Sequence, residues 1–191
     1  MTRPLLILVT GAPCAGKTTL ARHIADKFRL PLIAKDDIKE TLFDWLGWKD
    51  REWSKQLGRA TMRLLFYFVE SQLAAGHSCI VESNFRAEMA AAEFRALQAK
   101  HDFVSVQVVL KCERDVLVQR IRARWDLGKR HPGHVDNLVS DEELAMILNS
   151  DYQAMDLGGH VIEIDTTDFD KIDYAGLFRA IESAIRGTRS E

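Results

Sequence analysis

Apolar and polar positions along the chain follow two periods. Short apolar-rich runs at residues 5–9, 30–34, 78–82, 103–110 and 160–165 have the character of strands covered on both faces, which read as near-continuous hydrophobic segments. Between them apolar residues recur at helical spacing: Leu20, Ile24 and Phe28; Trp53, Leu57, Leu64 and Phe68; Ala90, Phe94 and Leu97; Leu117, Ile121 and Trp125; Phe178, Ile181 and Ile185. These stripes predict amphipathic helices. Another helix is expected from near Ile38, breaking around Gly47, with the long helix after it ending near Gly76. Residues 126–139, with Gly128, Pro132 and Gly133, read as a loop long enough to be functional. Ser140 and Glu143 then have the spacing of a capping box that opens the next helix. Strands alternating with helices predict an α/β fold with a parallel sheet covered on both faces, here as a single domain over residues 1–191. Ligands of such sheets bind at the carboxyl ends of the strands.

Composition narrows the classes. Lys and Arg number 26 against 28 Asp and Glu, a formal net charge of -2 over 191 residues. That balance gives no global attraction to nucleic acid or an anionic membrane. No apolar run approaches the ~20 residues of a membrane span, and Met1–Pro4 leads into the first strand without room for a signal peptide. The three cysteines, Cys14, Cys79 and Cys112, are scattered and show no metal-ligand pattern. They suit a reducing cytosol and a cytoplasmic location.

Between the first strand and first helix lies Gly11-Ala12-Pro13-Cys14-Ala15-Gly16-Lys17-Thr18, the P-loop pattern G-x-x-x-x-G-K-[ST]. Its glycines let successive backbone N–H groups point into one nest, which together with the following helix N-terminus binds a chain of phosphates. Lys17 adds a charge for the outer phosphates, and Thr18 offers a hydroxyl ligand for Mg2+. Cys14 fills a variable position, although the surrounding amides could also depress its thiol pKa. Strand, loop and helix follow in the order the mechanism requires.

The P-loop, Asp36-Asp37 after the second strand, Glu82 after the third and the arginine-rich stretch with its loop resemble the P-loop kinases. The similarity is to the AAA-type ATP-binding branch that contains polynucleotide kinase 5′-kinase domains, chloramphenicol phosphotransferase and zeta-toxin-like kinases. It covers nearly the whole chain in element order and about a quarter of it in specific motifs. The resemblance implies a three-layer P-loop NTPase fold with five strands in the order 2-3-1-4-5, and a lid at approximately 120–139. It implies ATP and Mg2+, with the nucleotide held by residues 11–19 (Gly11, Ala12, Pro13, Cys14, Ala15, Gly16, Lys17, Thr18 and Thr19), Arg124 and Thr167. It also implies Asp36 as acceptor of the hydroxyl proton and Glu82, with Thr18, at the metal. The family more often has aspartate at the Glu82 position, which makes direct metal contact less certain. Asp37, three residues before Glu40, is expected to cap the second helix. Lys39, Asn84, Arg86, Arg130 and His134 are candidates for the acceptor. Lys39 reads equally as solvated, and Asn84 and Arg86 as turn residues. Arg120 and Arg124 share a helix face and, with Lys17 and Asp36, form the expected catalytic set, the alternative being a wet basic face. His131 and His134 read as lid or acceptor contacts; their spacing supports neither zinc binding nor proton transfer.

The function expected is transfer of the ATP γ-phosphoryl group to a small-molecule hydroxyl. The alternatives are a polynucleotide or nucleotide kinase, or a P-loop ATPase or switch without a dedicated acceptor. No Asn-Lys-x-Asp guanine motif is present, and Ser83 follows Glu82 where a mechanical ATPase has a second acid. A nucleic-acid acceptor is disfavoured because few cations beyond Lys39 and Arg86 are expected beside it. The helix over 51–75 instead carries Trp53, Leu64, Phe66, Tyr67 and Phe68, mostly core, with a few available to line a partly apolar pocket.

Overall fold

The computed structural model describes residues 3–128, 130–136 and 139–187; Lys129, Asn137 and Leu138 of the expected lid lie outside the described residues. Five strands, β1 (Leu5–Gly11), β2 (Leu32–Ala34), β3 (Cys79–Glu82), β4 (Val104–Lys111) and β5 (His160–Asp165), form one sheet. All pairings are parallel and the order is β2-β3-β1-β4-β5. This is the P-loop NTPase topology. Among the described residues seven α-helices accompany it: α1 (Lys17–Phe28), α2 (Lys35–Leu46), α3 (Arg51–Ala74), α4 (Ala87–Lys100), α5 (Arg114–Leu127), α6 (Asp141–Asn149) and α7 (Tyr174–Gly187).

β1 shows why its sequence is apolar throughout. Leu5, Ile7 and Val9 point into a core shared with Leu20 and Ile24 of α1, Leu117 of α5 and Leu177 and Ile181 of α7. Leu6 and Leu8 point to the other face, where Leu65, Val69 and Leu73 of α3 and Ala90, Phe94 and Leu97 of α4 cover them. Side chains alternate across a strand, so a central strand with helices on both faces has no solvent-facing position.

Three local expectations are corrected. α2 starts at Lys35, directly from β2, with Ala34 at the N-cap and no side-chain cap. Asp37 therefore lies inside the first turn, not at its cap, and pairs with Arg22 at 3.5 Å on the surface. Asp36 likewise sits in that turn rather than at the strand end, where its charge favours the positive end of the helix dipole. The buried face of α3 runs through Leu57, Thr61, Leu65, Val69 and Leu73, one residue round from the predicted Leu64 and Phe68. The break at Gly47 and the Ser140 cap are as the sequence implies: Gly47 N–H donates to the Phe43 carbonyl at 2.9 Å, and Ser140 Oγ accepts from the Glu143 N–H at 3.2 Å. Glu143 completes no reciprocal bond, because its carboxylate pairs with Arg51 of α3.

Candidate active site

The carboxyl ends of β1, β2 and β3 open into a cleft of about 580 Å³. Its floor is the P-loop, which contributes Pro13, Cys14, Gly16, Lys17, Thr18 and Thr19. Gly11 and Ala12 lie behind this surface, and Ala15 is packed in the core. Cys14 and Gly16 take left-handed φ of 64° and 90°, turning the amides inward as an anion nest requires. Only glycine fits at Gly16 for a second reason: a Cβ there would sit 2.6 Å from the Phe169 ring. Lys17 is buried and donates to the Ala12 carbonyl at 2.9 Å. Burial lowers its pKa, with Glu82 and Asp36 pulling it back up. Burial raises the Cys14 pKa, outweighing Arg124 and Lys17, so that thiol is not activated.

Thr18 Oγ1 donates to Glu82 Oε2 at 2.9 Å. This contact joins the end of β3 to the first turn of α1 and presents two hard oxygen donors beside the phosphate nest, the chemistry that Mg2+ selects. Burial raises the Glu82 pKa despite Lys17 and the Thr18 hydrogen bond. Among the described residues no group of three or more His, Cys, Asp and Glu side chains forms a metal cage. The donor set therefore suits a cation that takes its other ligands from phosphate and water.

The roof comes from the stretch after α5. Arg130 donates to Asp36 Oδ2 at 2.5 Å and to Asp136 Oδ1 at 2.9 Å. Burial opposes the Asp36 charge, but Arg130 and Lys35 outweigh it and hold the carboxyl well below the usual carboxylate range. Arg124 stands 3.9 Å from Asp136, and its Nε is buried without a hydrogen-bond partner, a donor suited to a phosphate oxygen. His134 is buried and pairs through Nε2 with Glu40 Oε1 at 2.9 Å. Burial and then Arg130 push its pKa down to about 3, so it is neutral and donates to Glu40. His131 meets Asp44 at 3.1 Å and stacks on Phe43. Both histidines thus fasten the roof to α2.

The wall opposite the nucleotide side differs from expectation. Lys35, Asp36 and Lys39 of α2, Arg51, Ser54, Lys55 and Gly58 of α3, and Asn84 after β3 line it. Lys35 donates to Asn84 Oδ1 at 3.2 Å and Lys39 to Ser54 Oγ at 3.0 Å. None of Trp53, Leu64, Phe66, Tyr67 or Phe68 reaches the cleft; Phe66 packs on Phe94, and Tyr67 and Phe68 are exposed. The wall is cationic, not apolar. Residues 51, 54, 55 and 58 fall on one helix face, a spacing that would have marked them in the sequence. Lys35 follows the second strand directly, a place that would have marked it.

Three further expected site residues lie outside the cleft lining. Arg86 is the N-cap residue of α4, its carbonyl accepting from Met89 and Ala90. Thr167 Oγ1 accepts from the Glu113 N–H at 3.0 Å. Arg120 donates to the carbonyls of Thr166 and Thr167, both at 2.9 Å, and its guanidinium lies 3.7 Å from the Phe169 ring centroid. Since Phe169 abuts Gly16 and lines the cleft, Arg120 meets the P-loop through that ring.

Fold and cleft together define a P-loop protein with a kinase-like architecture. The AAA domain family model matches residues 6–147, and the chain belongs to that family. Its structure is similar to that of a candidate kinase from Chloroflexus aurantiacus j-10-fl, with 37% identity, a TM-score of 0.88 and coverage of 96% of this chain and 99% of that one. A sugar kinase from Janibacter sp. HTCC2649 (18% identity, TM-score 0.56, 97% and 98% covered) shares the fold. So does a gluconokinase from Sinorhizobium meliloti 1021 (14% identity, TM-score 0.53, 97% and 94% covered). No curated protein matches the sequence.

Proposed function

We propose that the chain is an ATP- and Mg2+-dependent kinase that phosphorylates a hydroxyl group of a small molecule. One observation carries this reading: a carboxylate held ionised, Asp36, lines the same cleft as Lys17, Thr18 and Glu82. A P-loop that only binds or hydrolyses nucleotide has no need of a second, walled compartment with its own carboxylate. The nest, Lys17 and Arg124 hold the phosphates and stabilise the charge that spreads over the transferring group. Thr18 and Glu82 would hold Mg2+, which would neutralise phosphate charge. Asp36 accepts a hydrogen bond from the acceptor hydroxyl, orients its oxygen toward the γ-phosphorus and takes the proton as the new P–O bond forms and ADP leaves. Arg120 is a positioning residue in this scheme, while Arg130 both fixes Asp36 and closes the roof. The resemblance extends the nucleotide contacts to Thr167, whose carbonyl Arg120 holds, and Asn84, which lines the cleft, adds an acceptor contact. Three free thiols favour a cytoplasmic location, and among the described residues no helix is long and apolar enough to cross a membrane.

The cations on α2 and α3 give a polynucleotide 5′-hydroxyl acceptor specific support as a second reading. Transfer of label from γ-labelled ATP to a panel of small hydroxyl compounds and to 5′-hydroxyl oligonucleotides, at low and moderate salt, separates the two. Labelled small-molecule product is expected, and Lys17→Ala should abolish it. Efficient oligonucleotide labelling that falls steeply with salt would install the second reading. ADP release with no labelled product in any arm would reduce the protein to an ATPase.

A further inference from the structure

The acceptor half of the cleft carries more positive charge than its own carboxylates neutralise. Arg130 engages both Asp36 and Asp136, and Arg51 engages Glu143. Among the described residues Lys35, Lys39 and Lys55 form no ion pair, although all three line the cleft. Lys35 and Lys39 are half-buried side chains whose hydrogen bonds are to neutral groups, the amide of Asn84 and the hydroxyl of Ser54. Burial lowers both pKa values, that of Lys39 to about 8. Asp36 acts on both lysines, Glu82 on Lys35 and the Phe43 ring on Lys39, yet burial still outweighs them; an anion bridging the two ammonium groups would offset the remaining cost of withdrawing them from water. At Gly58 the α3 wall carries no side chain at its approach to Lys39, and a Cβ there would lie 3.7 Å from Lys39 Nζ. The charge also lies on the correct side: Lys17 belongs to the P-loop and Arg124 to α5, whereas Lys39 of α2 and Lys55 of α3 line the cleft where Lys39 bonds Ser54, the residue before Lys55.

We infer that the hydroxyl acceptor carries an anionic group, a carboxylate or a phosphate, seated between Lys35 and Lys39 of α2 and Lys55 of α3. This rests on the phosphotransfer reading and narrows its substrate class to hydroxy acids or phosphorylated alcohols. An anionic group held there places the rest of the acceptor toward Asp36, so the same contacts set both specificity and orientation. The bounded cleft suits a single charged head rather than a row of backbone phosphates.

The test fills the nucleotide side first. With the protein saturated by Mg2+ and the β,γ-imido analogue of ATP, inorganic phosphate, acetate and glycerol are titrated by calorimetry. Saturable binding of phosphate or acetate, but not of glycerol, is expected, and the preferred anion tells a phosphorylated acceptor from a carboxylated one. Lys39→Met and Lys55→Met should each weaken that binding by about tenfold, the loss of one charge-assisted hydrogen bond. Lys55 is exposed, so its variant has no reason to misfold, and binding of the analogue checks the fold of both. Anion binding that is absent, or that survives both substitutions unchanged, overturns the inference while leaving the kinase reading intact. Failure of the wild-type protein to bind the analogue overturns the P-loop reading and the inference with it.

Discussion

Asp36 is held by an arginine on the acceptor side of the cleft, and that sets what kind of base it is. A carboxylate with so low a pKa is a weak proton acceptor, but a loose phosphoryl-transfer transition state needs the hydroxyl oriented more than deprotonated early. Asp36→Asn keeps the shape and one acceptor oxygen yet removes the charge. Turnover should fall by about 10²- to 10⁴-fold, the range for a lost general base, while nucleotide affinity measured by titration stays near wild type. A comparable fall in nucleotide affinity would show that Asp36 serves the phosphates instead. Asp37, adjacent in sequence, shows how fine the distinction is. Its capping spacing with Glu40 is real, but α2 begins without a loop, so both acids enter the first turn and only the neighbouring side chains separate their roles.

The stretch after α5 is joined to α2 by shape as well as charge. A Cβ at Gly133 would lie 2.5 Å from the ring of Phe43, which is itself fully buried. Gly133→Ala therefore overpacks the joint and should destabilise the protein by about 1–3 kcal/mol. Chemical denaturation should read this as a lower midpoint, accompanied by reduced turnover because Arg130 and His134 follow the same turn. Elements of this kind were only partly legible in the sequence. The strands were accessible because the central ones are apolar on both faces and the P-loop fixes where β1 ends, whereas their order followed only from the resemblance to P-loop kinases. The face of α3 was not, because Thr61 interrupts its stripe; that hydroxyl is satisfied by the Leu57 carbonyl at 2.8 Å and is fully buried. Leu64 and Phe68 gave the stronger apolar signal one residue away. Arg120 and Arg124 share a face four residues apart, yet one supports the Thr166–Thr167 turn and the other lines the cleft. Sequence spacing gives the shared face but not the loop that packs against each end of it.

At the scale of the whole molecule, net charge proved uninformative about the site. The formal charge of -2 averages over a cationic cleft and an acidic exterior, because folding sorts charges that composition only counts. The same sorting predicts the acid limb of stability. His134 has a folded pKa of about 3 against 6.5 for the free side chain. Its depressed pKa contributes stability that is complete above about 6.5 and is lost as pH falls toward 3, since the unfolded chain takes up the proton first. Asp36, also depressed, adds a loss that begins only lower, near its ordinary 3.8. Melting temperature should thus decline from about pH 6.5 downward, and His134→Gln should flatten the upper part of that slope in a calorimetric series. The cleft also contains a means of watching itself. Of the four tryptophans, Trp125 alone lines the P-loop cleft among the described residues, whereas Trp45 is exposed and Trp53 is tied to the Gly47 carbonyl. Its indole lies in the same wall as Arg124, so occupation of the cleft should alter its emission without any added dye. Nucleotide titration should give a saturable fluorescence change that Trp125→Phe removes, making the native chain its own optical binding assay.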